Sequence, residues 1–383
     1  MLPALVCALA VAPVFWLLVP DRWRRDALLV LSLVGLAIVD PWLLVLVGAV
    51  TAVVTFAVRT ARGWWLAVPA LALLVALFVF NKVAGGGGLL PSQGGIVLLG
   101  VSYLVLKAAA ALVDAARGRL TEASLLDVLG WIVFLPTYAS GPIESLDHFR
   151  SQTPRASVDR VFGGLQRILF GLVKTLLLSH YLGVWASPIL ADPSAFGSGT
   201  LLLAAYAVIL RFYFDFSGYS DLAIGVAAVY GIEIQENFDN PLVRRNLAQL
   251  WQRWHMTLTA WLRRYLFLPI SRSILGRGAR SRDLLAFLVA QLVTMTFCGL
   301  WHGLGWNFLL WGLLQAVGLI WVGRPARAVG ARLPDGILRF WRETPVGYAL
   351  SAALTFNYFA LTSVLVFTGL EGSLAYAAAL VGL

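Results

Sequence analysis

The sequence predicts an all-α, polytopic integral membrane protein. Hydrophobic residues make up 60% of the 383 residues and charged residues only 13%. The mean hydropathy is +0.82, well above what the surface of a soluble domain tolerates. Long apolar runs also recur along the chain, separated by short basic or glycine-rich connectors. These three observations exclude an ordinary soluble enzyme.

Most of the apolar runs are long enough to cross a bilayer, which takes ~20 residues for ~30 Å of hydrocarbon. They occupy residues 4–20, 27–58, 64–80, 95–113, 161–179, 199–231, 283–301, 305–323 and 346–370. We therefore expect roughly nine to eleven transmembrane helices in one domain, 1–383. Residues 1–20 lack a basic head and a small-residue cleavage site, so Met1 is expected to begin the first span. Cys7 and Cys298 fall in apolar runs far apart, and no disulfide is predicted.

The formal charge of +10 is explained by the positive-inside bias of membrane proteins. Arginines punctuate the spans at Arg22, Arg24, Arg25, Arg59, Arg62, Arg117, Arg119, Arg324, Arg327, Arg332, Arg339 and Arg342. These loops and the basic stretch 244–282 are predicted to be cytoplasmic, whereas connectors 81–95 and 182–199 carry few basic residues and are predicted to face outside. The arginines are not interleaved with exposed aromatics in a soluble module, so no nucleic-acid partner is expected.

Two of the four histidines each follow a tryptophan in an apolar stretch. His255 lies in LWQRWHMTL (250–258) and His302 in GLWHG (299–303). Counting along the predicted spans places His255 toward the inner face and His302 toward the outer face, which favours a passage across the membrane. The alternative is that each imidazole only hydrogen-bonds neighbouring helices. His148 and His180 are predicted to be solvated or interfacial.

The segment RFYFDFSGYSDLAIG (211–225) places polar residues within a long apolar run. Arg211 and Asp215 are four residues apart, so they are predicted to form an ion pair inside the membrane. Asp221 comes six residues after Asp215. Between them Ser217, a glycine and a second serine are expected to weaken the helix. Such groups are costly in lipid unless they line a polar cavity or are buried in protein. A purely structural ion pair is the alternative interpretation.

Several motifs together resemble the membrane-bound O-acyltransferase family. They are FDFSGYSDLAIG, ENFDNPLVRRNLAQLWQRWHMTLTAWLRRYLFLPI and GLWHGLGWNFLLWGLLQ, with VFLPTYASGPIE (133–144) similar to a weaker upstream signature. Within the family they resemble the bacterial branch that O-acetylates alginate or transfers D-alanine to teichoic acid. The resemblance is concentrated in residues 200–320, whereas residues 1–120 match in hydropathy only.

The resemblance implies a ring of transmembrane helices with re-entrant helices around a central tunnel. It also implies transfer of an acyl group from a thioester to a hydroxyl. The family's catalytic histidine maps onto His302, which we expect to be the general base because neutral imidazole has a suitable pKa. His255, with Asn237 near it, is expected to orient the donor. The residues expected to line the tunnel or contact substrate are Asp215, Ser217, Tyr219, Asp221, Asn237, Trp254, Trp301 and Asn307.

The donor is expected to be cytoplasmic acetyl-CoA or an acyl or aminoacyl carrier protein that docks on Arg253, Arg263 and Arg264. The expected acceptor is an envelope polysaccharide, or a partner such as an accessory acyltransferase or esterase-like protein at the outer face of a bacterial inner membrane. Acetyl is favoured over D-alanyl. No dinucleotide or P-loop fingerprint, metal cluster or GxSxG elbow is found, so no bound cofactor, metal or serine acyl-enzyme is predicted.

Two other function classes remain open at this point. Charged residues in broken helices are also typical of transporters and channels. The segment 211–221 has no counterpart in residues 1–150, so the paired halves of many transporters are not evident. A scaffold for acyl export with no chemistry of its own is the third possibility, and it would tolerate the loss of both histidines.

Overall fold

The structure is a computed structural model. It describes residues 2–60, 64–84, 100–120, 123–155, 157–276, 282–323, 330 and 332–383. Within these ranges the regular structure is helical and contains no strand. Several features singled out in the sequence lie outside the described residues, namely most of connector 81–95, the start of run 95–113, part of the basic stretch 244–282, and Arg62, Arg324 and Arg327.

The described helices are numbered here in chain order. They are α1 Leu2–Leu18, α2 Arg24–Val39, α3 Trp42–Thr60, α4 Trp64–Ala84, α5 Val101–Ala116, α6 Leu125–Val133, α7 Leu135–Tyr138, α8 Leu146–Arg150, α9 Val158–Leu172, α10 His180–Ala191, α11 Ser198–Val229, α12 Leu247–Trp251, α13 Met256–Leu262, α14 Leu268–Leu275, α15 Asp283–His302, α16 Trp306–Val322, α17 Asp335–Glu343 and α18 Pro345–Val381. A π-helical segment, Val173–Ser179, joins α9 to α10, and another, Arg263–Phe267, joins α13 to α14.

Six helices in the described ranges are long and apolar enough to cross a membrane, which confirms a multi-pass membrane protein. They are Trp42–Thr60, Trp64–Val83, Val158–Ala191, Ser198–Val229, Asp283–His302 and Pro345–Val381. Two shorter apolar helices, Leu5–Leu18 and Trp306–Val322, accompany them. The count of nine to eleven spans, the ring and the tunnel stay predictions. The apolar run 27–58 is divided between α2 and α3 because an Asp-Pro pair, Asp40 and Pro41, interrupts it.

The described chain divides into two compact units. The first comprises the described residues up to 173 together with 217–236. Its core is a large cluster of buried apolar side chains from α1 to α9, the end of α11 and the residues that follow α11. Lys107 is buried in this core, where its Nζ donates to the Trp131 carbonyl over 3.2 Å and to Thr137 Oγ1 over 3.1 Å. The prediction of a single domain over 1–383 stays a prediction.

The second unit comprises residues 174–216 and 237–383 and contains both Trp-His pairs. Here α15 and α16 pack closely through glycines, because a Cβ atom at Gly312 would lie 2.5 Å from the Met295 carbonyl oxygen and 3.2 Å from Gly299 Cα. At Gly299 a Cβ atom would overlap the Phe308 carbonyl oxygen. The glycines therefore allow the close approach that brings Trp311 of α16 against the end of α15. Helix α18 packs beside α16 and changes direction at Gly369, where φ is 71°.

Candidate active site

His255 lies at the start of α13 in a backbone conformation that is rare for residues with a side chain. Its φ and ψ are 45° and 54°, in the left-handed region. The turn is held by backbone hydrogen bonds from Met256 N to Asn237 O, 2.8 Å, and from Asp239 N to Arg253 O, 3.0 Å. The chain after α12 therefore folds back onto residues 237–239 and buries the imidazole, which is only 2% exposed. Non-glycine residues held in this region cluster at functional sites.

Asn237 determines which nitrogen of His255 carries the proton. Its Oδ1 lies 3.3 Å from the Thr257 backbone N and accepts from Thr257 Oγ1 over 2.9 Å. A backbone N–H can only donate, so the atom facing it is the amide oxygen. His255 Nδ1 lies 3.0 Å from the same oxygen and must donate to it. Neutral His255 consequently carries its proton on Nδ1 and presents Nε2 as a hydrogen-bond acceptor.

Burial lowers the pKa of His255 well below its usual value, and the nearby His302 lowers it further. The direction follows from the cost of placing a charged imidazolium in an apolar environment beside a second imidazole. Aromatic rings surround His255, with the Phe216 ring centroid 4.6 Å and the Trp301 centroid 6.3 Å from its own. His255 is therefore neutral near pH 7.

His302 is the last residue of α15 and is half-buried. Its ring centroid lies 4.8 Å from that of Trp301 and 5.4 Å from that of Trp311, both in edge-to-face geometry. Gly303 follows in an extended conformation and begins the short turn to α16. The sequence GLWHG therefore places one imidazole at a helix end, with a tryptophan ring from each of two helices against it.

Both histidines line the same cavity. Its other walls are supplied by α11, the turn before α13, α16 and α18. The lining residues are Ile209, Phe212, Phe216, Trp254, His255, His302, Trp311, Phe359, Ser363, Val366 and Phe367. The cavity volume is about 20 Å³, enough for one water molecule.

The shared cavity corrects the prediction that the two histidines lie at opposite depths. That prediction counted residues along the spans and assumed that the segment around His255 stays at the inner interface. The left-handed turn at His255 and its pairing with Asn237 instead bring the imidazole to the same cavity as His302. The two imidazoles therefore lie on one cavity.

Three more of the predicted site residues are found near these histidines. Trp254 lines the cavity, and Trp301 contacts both imidazole rings. Asn237 does not line the cavity but accepts a hydrogen bond from Nδ1 of His255. Asn307 has a different position, since its Nδ2 donates to the Leu365 carbonyl over 3.0 Å and so joins α16 to α18.

The predicted ion pair between Arg211 and Asp215 is not seen as a close contact in the described part of α11. The two charges interact electrostatically, but both residues are exposed. The guanidinium of Arg211 lies instead against Gly183 of α10, where a Cβ atom would be 2.9 Å from Arg211 Nε. Helical spacing made the pair possible, but the missing side chain at Gly183 gives Arg211 another place to lie.

The remaining predicted residues of α11 belong to the first unit. There Asp221 is 7% exposed and accepts a hydrogen bond from Arg167 Nε over 2.9 Å. Arg167 also pairs with Glu236 through both terminal nitrogens. Asp221 therefore fits the structural alternative rather than a place on a cavity wall. Ser217 is 2% exposed, and Tyr219 packs against the core of this unit.

Sequence reasoning missed several wall residues and one charge. Trp311 and Phe359 are ordinary members of apolar runs, and nothing in their spacing distinguishes them. Arg167 had a detectable signal, because it is a charge inside the apolar run 161–179 and is therefore subject to the same argument as Arg211.

The predicted donor-docking arginines differ in their surroundings. Arg263 and Arg264 are exposed in the π-helical segment that follows α13, and the Arg264 guanidinium lies 5.4 Å from the Tyr265 ring centroid. Arg253 forms an ion pair with Asp239, so its charge is already balanced.

The other two histidines lie on or near the surface. His180 is exposed at the start of α10. His148 is partly exposed, but its Nδ1 lies 2.9 Å from a carboxylate oxygen of buried Glu144. Cys7 and Cys298 are free thiols. Within the described ranges no group of three or more His, Cys, Asp or Glu residues is arranged to hold a metal ion.

Comparison with known proteins gives a family match and several relatives. The model of MBOAT, the membrane-bound O-acyltransferase family, matches residues 71–327, which include both histidines. A probable alginate O-acetylase of Azotobacter vinelandii is 31% identical over 56% of this chain and 42% of the relative. A teichoic acid D-alanyltransferase of Streptococcus thermophilus is 28% identical over 73% of this chain and 70% of the relative. A peptidoglycan O-acetyltransferase of Helicobacter pylori is 29% identical over 51% of this chain and 36% of the relative. The matches thus span well under the full length of these relatives.

Proposed function

Because the chain belongs to the membrane-bound O-acyltransferase family, we propose that it transfers an acyl group from a thioester donor to a hydroxyl of a cell-envelope polysaccharide or of a partner protein. The observation that carries the proposal is the pair of histidines on one cavity. Relatives named for O-acetyl transfer and for D-alanyl transfer support the reaction class. Acetyl is the favoured acyl group.

His302 acts as the general base in this proposal. The acceptor oxygen attacks the thioester carbonyl carbon, the new C–O bond forms and the C–S bond breaks. His302 takes the hydroxyl proton and then returns it to the departing thiolate, so the enzyme is unchanged after each cycle. A half-buried imidazole at a helix end suits this role, because it can face the acceptor while two tryptophan rings hold its plane.

His255 positions the donor and does not move a proton. With Nδ1–H bonded to Asn237, its Nε2 accepts a hydrogen bond and cannot donate one to a carbonyl oxygen. The pantetheine arm of coenzyme A and of carrier proteins offers amide N–H groups that fit such an acceptor. The lowered pKa keeps His255 neutral, so Nε2 carries no proton.

The donor reaches the site from the side that carries Arg263 and Arg264. Both arginines follow α13 directly, and α13 begins at His255. A basic surface there attracts the phosphates of coenzyme A or an acidic carrier protein. The positive-inside rule supports a cytoplasmic location for this side. We propose that the protein lies in the bacterial inner membrane, with its acceptor, or an accessory acyltransferase or esterase-like partner, at the outer face.

Reconstitution in sealed vesicles tests the proposal. The purified chain is supplied with acetyl-labelled coenzyme A or a D-alanyl carrier thioester, together with an oligosaccharide acceptor. Label esterified to sugar hydroxyls supports the proposal and identifies the donor. Ion leakage through the vesicles without loss of thioester would indicate a channel. Export of intact thioester would indicate a scaffold.

A further inference from the structure

A second, larger cavity lies in the same unit as the histidines. It is a groove of about 810 Å³ between α16 and α18, closed at one end by α17 and by the residues that precede α12. The groove does not include His255 or His302. Its size is within the range of ~300–1,000 Å³ typical of small-molecule sites. The proposed acyl transfer does not use it.

The walls of the groove are largely apolar and partly exposed. Val317 and Trp321 on α16 and Leu354 on α18 are exposed, although they belong to apolar helices. In a membrane protein such side chains contact acyl chains. A concave apolar surface between two helices therefore accommodates a lipid tail more closely than a flat helix face does.

The mouth of the groove is cationic. Arg342, at the end of α17, is exposed and lines the groove. Arg245 donates to the carbonyls of Trp341 and Arg342, at 3.3 and 2.5 Å, which fixes the end of α17 over the groove. Two guanidinium groups thus lie where the apolar walls end.

Helix α17 has the character of a helix at the membrane interface. Its charged residues are Asp335, Arg339, Arg342 and Glu343, with both arginines in its second half, whereas Ile337 and Phe340 are exposed apolar side chains on the same short helix. The sequence predicts this segment to be cytoplasmic. Basic pockets between transmembrane helices on that side attract anionic lipid headgroups.

From this combination we propose that the groove binds one anionic phospholipid, with its headgroup phosphate on Arg342 and Arg245 and an acyl chain along Val317, Trp321 and Leu354. Charge complementarity at the mouth selects an anionic over a zwitterionic headgroup, and the apolar walls select a lipid over a free phosphate. The proposal is independent of the acyl-transfer reaction.

Native mass spectrometry of the full chain, released from nanodiscs, tests the site with phosphatidylglycerol and phosphatidylcholine as probes. Arg342→Gln should weaken phosphatidylglycerol retention about fivefold, since one juxtamembrane arginine contributes ~1 kcal/mol. Ser351→Phe, which fills the groove, should remove retention of both lipids. The matched controls are Arg339→Gln on α17 and Ala353→Phe on α18, which do not line the groove.

Three results would overturn the proposal. Equal retention of the two lipids by the unsubstituted chain would show that the headgroup is not recognised. Unchanged retention in both Arg342→Gln and Ser351→Phe would place bound lipid elsewhere. Displacement of phosphatidylglycerol by desulfo-coenzyme A, or by inorganic phosphate, would assign the groove to a soluble phosphate compound. Thermal unfolding of each variant confirms that it is folded, and Arg342→Gln, at an exposed position, keeps the test valid if Ser351→Phe does not fold.

Discussion

The two histidines of the site are held in opposite ways. His255 is 2% exposed, lies in a left-handed turn and gives its Nδ1 proton to Asn237. His302 ends a spanning helix, is half-buried and lies between the rings of Trp301 and Trp311. Hydrogen bonding to Asn237 thus sets the tautomer of His255, whereas two tryptophan rings lie against His302 at a helix end. The contrast separates a histidine whose tautomer is set by hydrogen bonds from one that lies between two tryptophan rings.

Loss of His302 should have the largest effect. His302→Ala removes the proposed base, and we expect acyl transfer to fall by ~10²- to 10⁴-fold because general base catalysis contributes this much. Rates of transfer from a labelled thioester to an oligosaccharide measure the effect, with thermal unfolding as the check on folding. Transfer at the unsubstituted rate would show that His302 is not the general base and that its role is structural.

Replacement of Asn237 should have the second-largest effect, which is a loss of stability. Asn237→Leu leaves the Nδ1–H of His255 and the N–H of Thr257 buried without their acceptor, which should cost about 2–3 kcal/mol of stability. Thr257→Val is the matched control, since it removes one bond to the same oxygen and should cost only about 1 kcal/mol. Chemical denaturation of both variants in detergent compares them. Equal losses would show that Asn237 does not fix His255.

Charge reversal after α13 tests whether the arginines there bind the acyl donor. Arg263→Glu with Arg264→Glu should raise the KM for an anionic thioester donor about fivefold at low salt, and less at high salt where charges are screened. Arg332→Glu with Arg339→Glu makes the same charge change on exposed arginines elsewhere. If both double variants change KM equally, the effect is one of overall charge and no docking surface follows α13.

Acid stability should show the smallest effect. The pKa of His255 is lowered in the folded state, so only the unfolded chain binds its proton as the pH falls below ~6.5. The contribution of His255 to the free energy of unfolding is therefore fully present above that pH. It decreases as the pH falls toward the folded-state pKa, by up to ~1.4 kcal/mol per pH unit. Replacement by Gln should flatten the dependence of the unfolding temperature on pH between 6.5 and 5. An unchanged slope would mean that His255 is not kept neutral by folding.

The sequence predicted the helical class, because long apolar runs are a local signal. The Trp-His pairs in apolar segments also identified the two histidines that line one cavity in the structure. The spatial relation of the histidines was not predictable by counting along spans. It depends on a turn in which His255 adopts φ of 45° and on hydrogen bonds to Asn237, which is 18 positions earlier. Helical spacing likewise suggested that Arg211 and Asp215 pair. The ion pair that the structure shows on α11 instead joins Asp221 to Arg167, which is 54 positions earlier in the chain. No rule based on local spacing predicts such a contact.

Donor binding in the absence of chemistry tests the division of labour between the histidines most directly. The measurement is the affinity for a non-reactive thioether analogue of acetyl-coenzyme A, by calorimetry, in His302→Ala and in His255→Gln. We predict that the first variant binds the analogue within about threefold of the unsubstituted chain and that the second binds it at least tenfold more weakly, the loss of roughly one hydrogen bond. The reverse order, with binding lost in His302→Ala and kept in His255→Gln, would contradict the account.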